Sequence, residues 1–98
     1  MPIRQLTLIK FKPETPHAAI DEMGQGFASL TSIVPGLLRF EFGPDIGLEN
    51  TTLDYALVID FADADTWRAY REHPSHVAFA QRSMQIIAQV ERVQYVVP

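Results

Sequence analysis

Residues 53–61 carry the clearest strand pattern of the chain, and this pattern limits the folds that the chain can adopt. Residues two apart lie on the same face of a strand, so the large and the small side chains of this segment separate onto opposite faces. One face needs a covering layer of helices, whereas the other is small or apolar at its centre. The large face carries Leu53, Tyr55, Leu57, Ile59 and Phe61, and the opposite face carries Asp54, Ala56, Val58 and Asp60.

Three further segments have the composition of strands, and two regions between them have the spacing of helices. The strands are predicted at residues 3–11, 37–42 and 90–97, and the helical regions at 16–33 and from Asp63 or Asp65 to 89. The order β-α-β-β-α-β predicts an α+β protein of ferredoxin-like fold, with helices over one face of a four-stranded antiparallel sheet. In the second strand, Leu38, Phe40 and Phe42 share one side.

Prolines and glycines mark the ends and the weak points of the predicted helices. Thr15 is a candidate N-cap, with Pro16 at the first helical position. Pro74 must interrupt the second helical region, because its ring pushes the preceding residue out of the α conformation. Gly24 and Gly26 weaken the first helix, so either another element packs closely against its backbone there or the glycines are merely tolerated.

Composition and charge exclude several classes of protein. The chain has 98 residues, which fits a single domain over 1–98, and its 47% apolar content is far too high for a disordered protein. Basic residues are scattered singly and the net charge is −4, so nucleic acid is not expected as a partner. No apolar run approaches the roughly 20 residues that span a bilayer, so we expect a cytoplasmic protein without membrane contact. The absence of cysteine excludes disulfides and thiolate metal sites.

The sheet face away from the helices is predicted to be apolar and uncovered. Its residues in the first and third strands include Leu6, Leu8, Ala56 and Val58. An apolar sheet face of this kind favours pairing with a second copy of the chain. We therefore expect a homodimer in which two sheets face each other through this surface.

The segment 70–79, YREHPSHVAF, holds two of the three histidines. His73 precedes a proline at the break between two helical pieces, which favours a structural capping role. His76 has two interpretations: an imidazole that faces a ligand, or a buried histidine that bonds to a backbone carbonyl or to Tyr70. His73 and His76 also suggest a metal site, but Pro74 breaks the helix between them and no third ligand is evident. We therefore expect no metal, although weak metal binding at this pair stays open.

Three motifs together resemble the stress-responsive dimeric α+β barrel family, known as Dabb. They are LIKFK at residues 8–12, VPG at 34–36 and above all Tyr70-x-x-His73-Pro74-Ser75-His76-Val77. The resemblance covers essentially the whole chain and implies a dimeric barrel with helices outside two facing sheets. The family includes a plant polyketide cyclase that makes olivetolic acid. Other dimeric α+β barrels act as monooxygenases or haem-handling enzymes, so the resemblance leaves the chemistry open.

The same resemblance implies roles for particular residues. Tyr70 and His76 match the tyrosine and the catalytic histidine of the cyclase, whereas Gln5 and Tyr55 stand where the cyclase has histidines in its first and third strands. A neutral imidazole can remove a proton next to a carbonyl, and a phenol can donate to the oxygen that gains charge. The hypothesis is that His76 is the base and Tyr70 the donor, with Gln5 and Tyr55 as further polar contacts and no cofactor. The apolar wall of the pocket is predicted from residues that are also ordinary core residues: Phe27, Phe40, Leu57, Ile59, Phe79 and Ile87.

Two functions from different classes are consistent with the sequence. In the first, the protein is a small cofactor-free cyclase, lyase or isomerase that moves a proton on a carbonyl compound held between sheet and helices. In the second, it is a non-catalytic ligand-binding or stress-linked dimer in which His76 is structural. The position of His76 relative to an open pocket discriminates between them, since fold alone does not decide function.

Overall fold

Four strands and three helices make up the computed structural model, which describes residues 1–50 and 52–98. The predicted order is confirmed, with the second helical region divided into two helices at Pro74. Over the described residues, no helix is long and apolar enough to cross a membrane. The elements are β1 (Ile3–Phe11), α1 (His17–Leu30), β2 (Leu37–Pro44), β3 (Tyr55–Phe61), α2 (Ala64–Glu72), α3 (Pro74–Ser83) and β4 (Ile87–Val96).

The strands form one antiparallel sheet in the order β2-β3-β1-β4. β1 lies inside the sheet and pairs with β3 on one side and with β4 on the other. Thr7, at the middle of β1, is therefore opposite both Leu57 and Arg92. This topology confirms the predicted ferredoxin-like α+β fold.

The helices cover one face of the sheet, and the core lies between the two layers. Phe61, Leu30 and Ile59 are the largest fully buried side chains. Gly26 of α1 lies against the ring of Phe79 from α3, and a Cβ at Gly26 would overlap that ring. The glycine is therefore needed for close packing of α1 against α3, which decides between the two interpretations of this position.

The start of β2 differs from the prediction because the strand contains a bulge. A bulge between Leu37 and Arg39 shifts the register of β2, so Leu37 packs against the core and Leu38 is 61% exposed. The prediction that Leu38 shares a side with Phe40 is wrong for this reason.

Three helix boundaries were also predicted wrongly. α1 ends at Leu30 rather than at 33. Its N-cap is Pro16 rather than Thr15, whose hydroxyl instead donates to the Lys12 carbonyl at 2.7 Å. α3 ends at Ser83, so Ile87 lies at the start of β4, opposite Phe11, rather than in a helix. Ile87 is nevertheless buried in the core, as its apolar character requires.

The opposite sheet face has an apolar centre and a charged cluster beside it. Leu8 is 39% exposed, and Val58 and Leu6 are partly exposed. Arg4 donates to both carboxylate oxygens of Asp60 at 2.7 and 2.9 Å, and this hydrogen bonding holds the pKa of Asp60 below its usual value. The face away from the helices therefore offers an apolar patch flanked by a satisfied ion pair.

Candidate active site

The break between α2 and α3 brings Tyr70 and His76 together. The backbone of His73 is extended, and Pro74 then begins α3 at a position where no N–H donor is needed. The Nδ1 atom of His73 accepts a hydrogen bond from the Ser75 amide at 3.1 Å, so His73 caps α3, as predicted. The ring centroids of Tyr70 and His76 are 4.6 Å apart, with 47° between the ring planes.

The single hydrogen bond described for the His76 ring fixes the form of the imidazole. Nδ1 lies 3.1 Å from the carbonyl oxygen of Arg71. Because a carbonyl can only accept, Nδ1 carries the proton and Nε2 of the neutral ring keeps its lone pair. Burial lowers the pKa of His76 below 6.5, and the charges of Arg71 and Arg92 act in the same direction against the opposing effect of the Arg71 carbonyl. His76 is therefore a neutral base at pH 7.

Tyr70 is suited to donate a hydrogen bond. Its side chain is only 2% exposed and packs edge-on against Phe61 and Phe40, with ring centroids 5.5 and 6.1 Å away. Burial raises the pKa of the Tyr70 phenol well above its usual value of 10.0. None of the described hydrogen bonds uses its hydroxyl, so the protonated group is available to a ligand.

Tyr70 and His76 share the lining of a cavity of about 70 Å³ between the sheet and the helices. A water molecule occupies about 30 Å³ of liquid, so this cavity accommodates only a small group. Tyr70 and His76 supply polar atoms to walls that are mostly apolar. The other predicted residues that line the cavity are Gln5, Phe27, Leu57, Ile59, Phe79 and Ile87.

Tyr55 and Phe40 lie outside this cavity. Tyr55 begins β3 opposite Ile9, and its ring packs between Phe11 and Phe27 with centroid distances of 5.9 and 6.0 Å. Phe40 contacts the cavity indirectly, through its edge-on contact with Tyr70. The sequence places Tyr55 on the correct face of its strand, but its position along the strand separates it from the cavity.

Gln5 lines the cavity, but its carbonyl oxygen is already occupied. Oε1 accepts from Trp67 Nε1 at 3.1 Å and from Gln94 Nε2 at 2.9 Å. These bonds connect β1, β4 and α2. Gln5 therefore holds the cavity walls together, and only its amide nitrogen is left to contact a ligand.

Thr7 and Arg92 also line the cavity, although the sequence analysis did not select them. They lie opposite each other in the register of β1 and β4. Thr7 is 4% exposed, and its hydroxyl is buried without a hydrogen-bond partner among the described residues. One signal could have identified Arg92, since it lies two residues after Val90 and two before Gln94 on the helix-facing side of its strand.

The comparison with protein families agrees with the motif at residues 70–77. A profile described as the stress-responsive A/B barrel domain, Dabb, matches residues 3–97, which is nearly the whole chain. The chain belongs to the Dabb family. The resemblance proposed from the sequence is thereby confirmed.

Relatives of this Dabb domain include both stress-response proteins and an enzyme. The chain is 28% identical over 81 residues to stress-response A/B barrel domain-containing protein HS1 of Arabidopsis thaliana, a match that covers 81% of this chain and 74% of that protein. It is also 28% identical over 81 residues to olivetolic acid cyclase of Cannabis sativa, covering 81% of this chain and 80% of the cyclase. Catalysis by a Dabb domain is therefore plausible for this chain, but the relatives do not specify a reaction.

A solved Dabb-like structure has the same architecture throughout. It is a dimeric ferredoxin-like protein of unknown function from Thermobifida fusca YX, with a TM-score of 0.93 and 28% identity. The match covers 99% of this chain and 92% of that one. The likeness includes every strand and helix that positions Tyr70 and His76.

The Dabb domain offers no group of three or more metal-ligating side chains within residues 1–50 and 52–98. His73 uses its Nδ1 atom to cap α3, and His76 uses its Nδ1 atom to bond the Arg71 carbonyl. The cavity lining combines a base and a neutral phenol with an apolar wall and with further polar side chains that include Gln5, Thr7 and Arg92. This combination can accept a proton from carbon and stabilise negative charge on oxygen.

Proposed function

We propose that this Dabb domain moves a proton on a small carbonyl compound, without a cofactor, in chemistry of the cyclase, lyase or isomerase type. His76 Nε2 takes a proton from the carbon next to the carbonyl, and the electron pair of that C–H bond moves onto the carbonyl oxygen. The Tyr70 hydroxyl donates a hydrogen bond to this oxygen. Return of the proton to a different position completes an isomerisation. In a cyclisation, the enolate carbon attacks a second carbonyl, whose oxygen takes up the proton held by His76.

The observation that carries the proposal is the hydrogen bond between His76 Nδ1 and the Arg71 carbonyl. It leaves Nε2 unprotonated on a ring that lines the same cavity as Tyr70. A general base must be free of its proton at the working pH, and a donor must keep its own. The lowered pKa of His76 keeps the imidazole neutral at pH 7, and the raised pKa of Tyr70 keeps the phenol protonated.

The size of the cavity limits which part of a substrate it can hold. Sites for drug-sized ligands enclose about 300–1,000 Å³, several times the 70 Å³ found here. The enclosed space therefore suits the reacting end of a ligand, with the remainder in the solvent-facing mouth. A ketone or keto acid with a short chain fits this description.

The proposal is tested by hydrogen–deuterium exchange at carbons next to a carbonyl, followed by proton NMR in D₂O on a panel of small ketones and keto acids. We expect the protein to accelerate exchange for at least one compound. His76→Ala should lower that rate by about 10²–10⁴-fold, the usual contribution of a general base. Tyr70→Phe should lower it by about 10²–10³-fold, as expected for loss of a donor to the oxygen.

Stability measurements separate this proposal from its alternative. If His76→Ala removes exchange while unfolding midpoints stay close to those of the wild type, His76 acts as the base. A loss of about 2–5 kcal/mol, typical of a core deletion, together with no exchange by the wild type, would instead assign His76 to the structure.

One observation favours the second candidate function, a non-catalytic dimer that binds a ligand. The bond from His76 to the Arg71 carbonyl joins the first turn of α3 to the end of α2, and it would stabilise this junction without any reaction. In that case the cavity binds a small ligand whose protons are not exchanged. The exchange assay and a binding assay on the same compounds distinguish the two functions.

We propose further that the domain is a homodimer through the sheet face that carries Leu6, Leu8, Ala56 and Val58. This face is the apolar surface that the helices leave uncovered. The structural relative from Thermobifida fusca is described as dimeric, which supports the assignment.

A further inference from the structure

Two arginines near the candidate site, Arg71 and Arg92, form no ion pair with a carboxylate of the described residues. Arg92 lines the cavity and is exposed, which places it at the cavity mouth. Arg71 lies over the ring of Trp67, with 5.3 Å between its guanidinium carbon and the ring centroid. Burial lowers the pKa of Arg92, and the charge of Arg71 adds to this effect, so the two cations are close enough to repel each other.

The chain has 12 acidic and 8 basic residues, so acidic partners are in excess. The ion pairs formed by the described residues involve Arg4, Arg39 and Arg68, but neither Arg71 nor Arg92. The unneutralised guanidinium of Arg92 in the cavity lining attracts an anion, because the low dielectric of the apolar wall strengthens the interaction.

Thr7 provides a second, independent observation. Its hydroxyl is buried and lacks a partner among the described residues, although buried polar groups in native proteins are nearly always bonded. Residues directly opposite in an antiparallel pair have Cβ atoms about 4.5–5.5 Å apart, and Thr7 is directly opposite Arg92. A hydroxyl and a guanidinium on the same sheet face can donate to one oxyanion group.

We infer that the ligand of this cavity carries a carboxylate, which Arg92 binds at the mouth together with the hydroxyl of Thr7 and the neighbouring charge of Arg71. The inference rests on the proposed function only in placing a carbonyl group next to His76. It narrows the substrate class to keto acids with a short chain. Arg92 is then the residue that determines specificity, whereas His76 and Tyr70 act on the carbonyl.

Binding of levulinate and of its neutral amide, levulinamide, tests the inference, because the two probes differ mainly in charge. Calorimetry or NMR titration should show that the wild-type protein binds levulinate at least about 10-fold more tightly than levulinamide, as expected for a charged hydrogen bond. Arg92→Gln should remove this preference. Arg92→Lys should retain part of it, because lysine keeps the charge but loses the two-pronged geometry of the guanidinium.

Two further variants complete the test: one controls for the change in net charge, and the other removes the Thr7 hydroxyl. Arg82→Gln changes the net charge by the same amount on α3, where the Arg82 guanidinium carbon lies 5.9 Å from the Phe79 ring centroid and is not part of the lining of this cavity; it should leave the preference unchanged. Thr7→Val should weaken levulinate binding several-fold while raising the thermal midpoint of the ligand-free protein, because it removes a buried hydroxyl without a partner.

The outcomes separate this inference from the proposed function. Preferential binding of levulinate that depends on Arg92, without proton exchange, would support the carboxylate site and overturn the catalytic proposal. Equal binding of the two probes, or no saturable binding of levulinate, would overturn the carboxylate site whatever the exchange assay shows. If Arg92→Gln slowed exchange on neutral ketones as much as on keto acids, Arg92 would act on the enolate oxygen, which also overturns the inference.

Discussion

The protonation of His76 has a direct consequence for the dependence of activity on pH. Burial and the charges of Arg71 and Arg92 disfavour the imidazolium, so the pKa of His76 lies below 6.5. We expect the exchange rate to stay constant as the pH falls from about 8 towards 6.5, and to decline only below that value. Tyr70 should cause no decline up to pH 10, because burial raises its pKa. A rate profile between about pH 5 and 10 measures both limits.

The lowered pKa of His76 also makes the stability of the fold depend on pH. Because His76 binds a proton less readily in the folded state than in the unfolded state, acidification below about pH 6.5 lowers the free energy of unfolding. The variant His76→Asn should lack this part of the pH dependence. An acidic midpoint of activity above 6.5 would contradict the assigned environment of His76.

Individual site residues were predictable to the extent that a local motif marks them. The resemblance to the Dabb family singled out His76 and Tyr70 in the motif around Pro74, and the structure places their ring centroids 4.6 Å apart. Arg92 and Thr7 meet across two strands whose residues are far apart in the chain, and their pairing depends on a register that no local pattern encodes. For Tyr55, the strand pattern predicted the correct face of the sheet, but it could not predict that the residue lies outside the cavity.

At the scale of elements, the contact between α1 and α3 depends on the absence of a side chain at Gly26. We expect Gly26→Ala to lower the free energy of unfolding by roughly 1–3 kcal/mol, because the new Cβ would overlap the Phe79 ring and force repacking. This loss should exceed the gain of up to about 1 kcal/mol that alanine brings to a helix. Urea denaturation followed by circular dichroism measures the difference.

Gly24→Ala is the matched control in the same helix. A Cβ there would lie 3.3 Å from the Tyr55 hydroxyl oxygen and 4.0 Å from the Phe42 ring, so a small shift suffices. Its unfolding free energy should stay within about 1 kcal/mol of the wild type. If Gly26→Ala were no less stable than Gly24→Ala, the close packing of α1 against Phe79 would not contribute to stability.

Elements whose apolar residues recur at regular spacing were predictable from the sequence, whereas the ends of most elements were not. β1 has the bounds predicted for it, and β3 alternates as predicted from Tyr55 onwards. The bulge in β2 exposes Leu38 because an extra residue changes the register. The sequence does not reveal the bulge, because Leu38 is apolar like the residues that face the core. Ile87 fits a helical or a strand pattern equally well, so its assignment depended on pairing with Phe11.

For the whole molecule, the uncovered sheet face is the proposed interface of the homodimer. We expect Leu8→Asp to convert the homodimer to a monomer, since a carboxylate at the centre of an apolar interface would lose its hydration. The folded monomer should tolerate the change, because Leu8 is 39% exposed in the single chain. Light scattering coupled to gel filtration measures the mass of the particle.

Leu48→Asp provides the control, because it makes the same substitution in a loop where the side chain is 86% exposed. It should leave the mass unchanged. A Leu8→Asp variant that stayed dimeric at the concentration of the wild-type protein would place the interface elsewhere on the molecule.

The pairing of β1 with β4 also governs when the candidate site comes into existence. Ile3 pairs with Val96, and the Val97 amide donates to the Pro2 carbonyl at 2.9 Å, so the two ends of the chain close one ladder. Contacts between such distant residues form slowly, because the entropy of loop closure must be overcome first. On the ribosome, β4 would emerge after β1, β2 and β3 and would leave one edge of β1 unpaired until then. Because Thr7 lies on this edge opposite Arg92, the proposed anion site would form only when β4 pairs with β1.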